Sequence, residues 1–263
     1  MLFIPLYDDN PTRRTPVVTY GLVGLCVAVF LWQTSLGDRG ETLAVFSYGM
    51  IPAVLFGHAE LPAGLDKVPA WTTVFTSMFM HGGVLHLAGN MLYLWIFGNN
   101  VEDSMGRGRF IVFYLLCGVA AALAQSAANP ASEVPMIGAS GAIGGVLGAY
   151  LVLHPRANVR VFFWFLIIVR LLNIPAIIVL GFWFAGQVLS GVATPTDGDG
   201  GGVAFWAHVG GFVAGAVLIL VFKRRGVQLL EPAHSVPFSV APAPRFRRGS
   251  VPSAGDRRRW PPS

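Results

Sequence analysis

The amino-acid sequence predicts an all-α membrane protein, a bundle of six transmembrane helices with a long interfacial first outer loop. The chain of 263 residues is 54% hydrophobic and only 12% charged, which is too apolar for an ordinary soluble domain. A helix needs roughly 20 apolar residues to cross a hydrocarbon layer. Six runs come close to that length, and because they are long and do not alternate, helices are favoured over barrel strands. The runs are 17–36, 83–100, 109–128, 136–154, 174–193 and 203–222.

The distribution of basic residues predicts the orientation. With the N-terminus inside, 16 of the 18 Lys and Arg residues fall on the cytoplasmic side, and only Arg39 and Lys67 face outward. We therefore expect an integral multi-pass protein of a bacterial cytoplasmic membrane with both termini in the cytoplasm. The placement of the positive charges explains the net charge of +5 as a signal for membrane orientation. We expect no nucleic-acid partner because no motif for one is present.

Composition divides the chain into three parts. Residues 1–16 are expected to be a short cytoplasmic lead, 17–225 the membrane domain, and 226–263 a disordered Pro/Arg-rich cytoplasmic tail. The first outer loop contains apolar stretches broken by glycine and proline, which favours an interfacial lid over a simple folded loop. Residues 161–169 are too short to cross and are expected to lie along the inner interface.

Four polar residues fall at one depth in three different spans. The second, fourth and sixth spans begin at the outer face, and His86, Asn90, Ser140 and His208 lie three to seven residues into them. At 1.5 Å rise per residue this places them roughly 5 to 10 Å below the outer boundary. A lone intramembrane histidine often bonds only a neighbouring carbonyl group, but four polar residues from three helices at one level indicate a site.

Glycine spacing predicts that the fourth and sixth spans pack closely. Each span contains pairs of glycines four residues apart, which allow helix backbones to approach one another. Such packing would bring Ser140 and His208 within hydrogen-bond reach. The pairs are Gly141 with Gly145, Gly144 with Gly148, and Gly211 with Gly215.

A serine beside a histidine indicates nucleophilic hydrolysis. Neutral His208 can take the proton of the Ser140 hydroxyl group, and the oxyanion can be stabilised by His86, by Asn90 and by backbone N–H groups at the start of the fourth span. No intramembrane Asp or Glu lies where it could orient His208, so we expect a Ser-His dyad. We expect no cofactor and no metal, since Cys26 and Cys117 are best explained as small buried side chains.

Three motifs together resemble the rhomboid family of intramembrane serine proteases. They are HGGVLHLAGN followed by Glu102, GASGAIGG around Ser140, and AHVGGFVAG around His208, within a similarity that covers about residues 12–225. The resemblance implies that Ser140 is the nucleophile, His208 the general base, His86 and Asn90 the oxyanion stabilisers, and the fifth helix a lateral gate. Many family members have Trp-Arg in the first loop, whereas here Trp71 is followed by Thr72.

The function predicted from these residues is an endopeptidase that cleaves single-span transmembrane proteins near the outer boundary through an acyl-enzyme. A catalytically silent rhomboid-like adaptor that binds transmembrane helices is the alternative. A small-solute transporter is disfavoured because the chain lacks paired ionisable residues at mid-membrane and two related halves. An intramembrane metalloprotease is disfavoured because H-E-x-x-H is absent.

Overall fold

The computed structural model describes residues 2–165, 168–193 and 203–239, and this part of the chain is mostly helical. A single 3-10 turn, Ser77–Phe79, follows the fourth helix. The helices are α1 Val17–Ser35, α2 Gly37–Tyr48, α3 Pro52–Leu55, α4 Ala70–Thr76, α5 Val84–Met105, α6 Arg107–Ala128, α7 Ser140–Leu153, α8 Ala176–Ala193 and α9 Phe205–Phe222, and the strands are β1 Leu2–Asp8, β2 Asn158–Phe165 and β3 Ile168–Pro175.

Six of the described helices coincide with the six apolar runs. By length and composition, α1, α6, α8 and α9 are able to cross a membrane. Helix α5 has 22 residues but ends in a polar stretch that includes Glu102 and Asp103, and α7 has only 14 residues. A mostly helical bundle with four candidate spans is therefore present, and the count of six spans stays a prediction.

The expectation of an all-α protein is wrong, because β1, β2 and β3 form a three-stranded antiparallel sheet in that order. β1 pairs with β2 from Leu2 opposite Trp164 to Asp8 opposite Val159. β2 pairs with β3 along its whole length. β-Branched and aromatic residues dominate β2, which favours a pleated surface. The sheet therefore includes most of residues 161–169, which were expected along the inner interface, and about half of the expected N-terminal lead.

The centre of the bundle is the contact of α7 with α9. A Cβ atom added to Gly211 would lie 1.9 Å from the Gly141 carbonyl oxygen, and one added to Gly215 would lie 1.9 Å from the Gly145 carbonyl oxygen. The helix backbones therefore touch directly, as the glycine spacing predicted. We call this contact the glycine seam; its members are Gly141, Gly144, Gly145 and Gly148 of α7 with Gly211 and Gly215 of α9.

A buried carboxylate joins α5 to the start of α1. Glu102 accepts hydrogen bonds from the backbone N–H of Thr19 at 2.7 Å, from the Thr19 hydroxyl group at 2.8 Å and from the backbone N–H of Val18 at 3.1 Å. The first N–H groups of a helix lack partners within the helix, and the helix dipole favours a negative charge there. Glu102 therefore anchors α1 to the end of the bundle that carries the sheet, which we call the sheet end.

Residues 226–239, here called the docked segment, lie against the sheet end. The backbone N–H groups of Leu230 and Glu231 donate to the carbonyl oxygens of Val152 and Leu153, at 3.0 and 2.9 Å. They thus satisfy carbonyl groups that the end of α7 leaves without partners. This part of the tail that was expected to be disordered is therefore hydrogen-bonded to α7, and the division of the chain into three parts stays a prediction. Residues 240–263 of the expected tail lie outside the described residues.

The docked segment also approaches the N-terminal part of the chain at Asn158. The Asn158 side-chain amide donates to the Ser235 carbonyl oxygen at 2.9 Å, and its backbone N–H donates to Asp9 Oδ1 at 2.8 Å. The Ser235 hydroxyl group donates directly to Asp9 Oδ2. Segments from both ends of the described chain therefore share one hydrogen-bonded cluster.

The sheet end contains a carboxyl group with a shifted pKa. The Asp8 carboxylate accepts hydrogen bonds from the Tyr150 hydroxyl group at 2.5 Å and from the Asn100 side-chain amide at 2.7 Å. Desolvation by burial outweighs these hydrogen bonds and raises the pKa of Asp8 from 3.8 to about 7.

The seam makes a mutational prediction. Gly215→Ala should lower the thermal unfolding midpoint by several degrees, because the new methyl group would meet backbone atoms of Gly145 that cannot rotate away. The matched control is Gly181→Ala in α8, where a Cβ atom has no neighbour within 4 Å. That variant should unfold at or slightly above the wild-type temperature. An unchanged midpoint for Gly215→Ala in detergent would contradict direct backbone contact.

The buried carboxyl group makes a prediction about pH. Between about pH 4 and pH 7 folded Asp8 keeps its proton while unfolded Asp8 releases it, so stability falls as pH rises and this contribution is lost above about pH 7. Asp8→Asn should therefore flatten the fall in unfolding midpoint between pH 5 and pH 8. Asp38→Asn, at an exposed position, should keep the wild-type dependence. Parallel pH profiles for wild type and Asp8→Asn would rule out this assignment.

Candidate active site at the converging helix ends

Ser140 is the first residue of α7, and the loop before it is hydrogen-bonded to residues between α1 and α5. The Gly138 N–H donates to the Ser77 carbonyl oxygen at 2.9 Å, and Met136 exchanges backbone hydrogen bonds with Met50. Gly138 has φ +129°, in a region that favours glycine. These contacts determine where the Ser140 side chain leaves the backbone.

His208 lies in the first turn of α9 and reaches Ser140. Its Nε2 atom is 2.7 Å from Ser140 Oγ, a hydrogen-bond distance. The imidazole is largely buried, with 8% of the residue exposed. The glycine seam lies directly below this pair, since a Cβ atom on Gly144 would be 2.9 Å from the His208 carbonyl oxygen. The close packing of α7 and α9 therefore brings the two side chains together.

The other ring nitrogen of His208 has a partner that the sequence analysis missed. Gln187 Oε1 of α8 lies 2.6 Å from His208 Nδ1. The Trp183 ring, one turn earlier in α8, packs 5.7 Å from the imidazole between ring centroids. Gln187 is neither Asp nor Glu, the residue types from which a dyad was predicted, and its position within the apolar run 174–193 is the one sequence signal for it.

His86 stands over the loop that precedes Ser140. Its Nδ1 atom accepts a hydrogen bond from the Gly82 N–H at 3.3 Å, so neutral His86 carries its proton on Nε2. That Nε2 atom is 2.8 Å from the position that a Cβ atom on Gly138 would occupy. The proton-bearing side of His86 therefore faces the backbone beside Ser140, and a side chain at position 138 would collide with it.

Asn90 lies one turn further along α5 and does not reach the pair. Its side-chain amide donates to the His86 carbonyl oxygen within the same helix, at 2.9 Å. Asn90 is buried, with 7% of the residue exposed. The structure thus brings together Ser140, His208 and His86 at the ends where α5, α7 and α9 begin, and it leaves the Asn90 amide engaged with its own helix.

A cavity of about 630 Å³ opens beside these residues and is lined by Ser140, His208 and His86. Gln125 of α6 also lines it, and its Oε1 atom accepts a hydrogen bond from the Ala207 N–H at 3.2 Å. Hydrolysis needs room for a substrate backbone and a water molecule, and this volume provides it. Within the described ranges, no cluster of three His, Cys, Asp or Glu residues could hold a metal ion.

Comparison with known proteins relates this chain to one family. A model of the Rhomboid domain matches residues 69–225. The chain is similar to Rhomboid protease GluP of Bacillus subtilis, with 32% identity over 206 residues, which are 77% of this chain and 35% of that protein. It is similar to Rhomboid protein 1, mitochondrial, of Saccharomyces cerevisiae, with 31% identity over 150 residues, 55% of this chain and 39% of that protein. RHOMBOID-like protein 1 of Arabidopsis thaliana is 31% identical over 200 residues, 76% of this chain and 46% of that protein.

The chain thus matches less than half the length of each of these relatives. The family match nevertheless includes more than half of this chain and all of the residues at the converging helix ends. Together with the four apolar helices, it makes this a multi-pass membrane protein. The sequence resemblance is confirmed, and the chain belongs to the rhomboid family.

Proposed function

We propose that this protein is a serine endopeptidase that cleaves single-span transmembrane proteins, with Ser140 as nucleophile and His208 as general base. The observation that carries the proposal is the 2.7 Å contact between His208 Nε2 and Ser140 Oγ. A serine hydroxyl group is a weak nucleophile until a base takes its proton, and a neutral imidazole at this distance can take it. The cavity beside the pair supplies access for a peptide backbone.

The proposed reaction has two halves. Ser140 Oγ bonds to the scissile carbonyl carbon as its proton moves to His208 Nε2, and the carbonyl oxygen becomes an oxyanion. The imidazolium then protonates the leaving nitrogen as the C–N bond breaks, which leaves an acyl ester on Ser140. Water gives a proton to Nε2 and attacks the ester. The bond between the acyl carbon and Ser140 Oγ then breaks as His208 Nε2 returns its proton to Oγ, so the acid product leaves and both the Ser140 hydroxyl group and the neutral imidazole are restored.

The proposed oxyanion donors surround the start of α7. The first backbone N–H groups of this helix are without intrahelical partners and carry the positive end of its dipole. The Nε2–H group of His86 faces the same backbone, as its hydrogen bond with Gly82 requires. Asn90 would join them by releasing the His86 carbonyl oxygen. Donors placed in advance where charge develops are worth most in a site that excludes bulk water.

In the proposed orientation, the protein crosses a bacterial cytoplasmic membrane six times, and the sheet end and both termini lie in the cytoplasm. The support for this orientation is the distribution of basic residues, because Arg13, Arg109 and Arg224 belong to the sheet end, where they contact Asp103 or the end of α9. The first loop would lie at the outer interface, as its exposed Trp71 suggests.

The proposed substrate entry is beside α8. This helix buries few of its residues against the bundle, whereas Phe182 and Leu189 are 78% and 70% exposed. A transmembrane substrate must also give up hydrogen bonds within its own helix to present a bond to Ser140. Substrates with small or helix-breaking residues near the cleaved bond are therefore expected to react faster.

Replacing either member of the pair should abolish activity. Ser140→Ala and His208→Ala should each lose both cleavage of a tagged transmembrane reporter in liposomes and covalent labelling by a fluorophosphonate, because the first lacks the nucleophile and the second the base. The matched controls are Ser126→Ala in α6 and His58→Ala in the first loop. Both should label and cleave at near the wild-type rate.

Each result of this experiment has a distinct meaning. Labelling that persists in Ser140→Ala would disprove the assigned nucleophile. A wild-type protein that neither labels nor cleaves, but still captures transmembrane helices, would favour the catalytically silent adaptor. Purified protein in proteoliposomes is sufficient for all arms.

The two proposed oxyanion side chains should differ in their effects. His86→Ala should lower the turnover number about 100-fold, since it removes a donor that already faces the start of α7. Asn90→Ala should lower it by only about tenfold, because its amide is bonded to the His86 carbonyl oxygen before substrate arrives. Equal effects of the two substitutions on the turnover number would contradict this distinction, which steady-state kinetics with the reporter can measure.

A further inference from the structure

We infer that Gln187 is a positioning residue that sets the protonation pattern of His208, and that α8 thereby controls whether the proposed base is competent. The inference rests on the proposed protease function. It is carried by two contacts of a single imidazole, one from each ring nitrogen. Gln187 Oε1 lies 2.6 Å from Nδ1, and Ser140 Oγ lies 2.7 Å from Nε2.

The chemistry of the amide oxygen decides where the imidazole proton resides. A carbonyl-type oxygen can only accept a hydrogen bond, so Nδ1 of His208 must carry the proton that it donates to Gln187. In a neutral imidazole the other nitrogen then has a lone pair. That lone pair is on Nε2, where it faces the Ser140 hydroxyl group and can take its proton. Gln187 thus performs the orienting task that a buried carboxylate performs in a Ser-His-Asp triad.

The opposite amide orientation would have the opposite effect. If the Gln187 NH₂ group faced Nδ1, that nitrogen would have to accept, and the imidazole proton would move to Nε2. His208 would then donate to Ser140 and could not act as its base. The two orientations therefore predict two different tautomers of His208, which can be distinguished by measurement.

The local packing holds Gln187 in reach of the ring. Trp183 and Gln187 are four residues apart, so they occupy the same side of α8, and both contact His208. One turn later, Gly191 is buried, and a Cβ atom there would lie 3.3 Å from Phe205 Cβ and from the Trp206 ring. The three residues form a narrow stripe along which α8 meets the start of α9.

This stripe couples the position of α8 to the state of the base. Beyond it, α8 presents exposed apolar side chains such as Phe182, Leu189 and Val192. A displacement of α8 of about 1 Å would lengthen the 2.6 Å contact beyond hydrogen-bond range and remove the acceptor from Nδ1. His208 would then be free to place its proton on either nitrogen, so only a part of the protein would have the competent tautomer until α8 returned.

The test compares two substitutions at Gln187 with a matched one nearby. Gln187→Met keeps the length of the side chain but removes the acceptor, and it should slow fluorophosphonate labelling of Ser140 about tenfold. Gln187→Glu keeps an acceptor oxygen at the same reach, whether or not it is ionised, and should restore most of the rate. Ile177→Met introduces the same residue at an exposed position near the other end of α8, away from the proposed substrate entry, and should label like wild type. Thermal unfolding midpoints test whether all three variants are folded.

A spectroscopic arm tests the inference independently of activity. Nitrogen-15 NMR of histidine-labelled protein reports which ring nitrogen is protonated, and comparison with His208→Ala identifies the signals of His208 among six histidines. Wild type and Gln187→Glu should show a protonated Nδ1, and Gln187→Met a mixture of the two tautomers. A wild-type Nε2–H tautomer, or a Gln187→Met protein with unchanged tautomer and labelling rate, would overturn the inference. A wild type with protonated Nδ1 that fails to label would instead refute the proposed protease and leave the positioning role supported.

Discussion

Direct backbone contact between α7 and α9 is the constraint on which the rest of the structure depends. Ser140 and His208 are 68 positions apart in the chain, and their hydrogen bond tolerates an error of only a few tenths of an ångström. Side chains between two helices would hold their axes apart, whereas glycines allow the carbonyl oxygens of Gly141 and Gly145 to touch the partner backbone. The glycines of the seam thus determine how closely Ser140 and His208 approach at the ends of the two helices.

The two helices that flank His208 are held very differently. The far end of α7 is fastened by the docked segment and by the hydrogen bond from Tyr150 to Asp8, and every residue from Gly141 to Tyr150 is buried. In contrast, only Ala176, Val179, Leu180 and Gly191 of α8 are buried, and side chains such as Phe182 and Leu189 are exposed. A fully packed helix therefore carries the proposed nucleophile, while a less buried helix carries Gln187, the proposed positioning residue. Such a division lets a substrate disturb the site without disturbing the scaffold.

Periodicity and spacing were enough to predict the helices of the six apolar runs and the contact of Ser140 with His208, because both follow from local rules of helix length and direction. The sheet was missed because β1 and β2 pair across about 150 residues, and short apolar runs do not reveal their partner. Composition suggested disorder for the docked segment, yet its contacts at Val152 and Leu153 use backbone groups, which composition does not describe. The contact of Gln187 with His208 was not predicted because a neutral amide carries no charge that would distinguish it within an apolar run.

The cluster at Asn158 has a mechanical meaning. Asp9 and Ser235 are 226 positions apart and are joined by an exposed hydrogen bond, so the two ends of the described chain lie close together. A force applied to residues near either end would therefore act on this hydrogen-bonded cluster and on the edge of the sheet before it acted on any helix. This cluster lies at the sheet end, whereas Ser140 lies at the opposite end of α7.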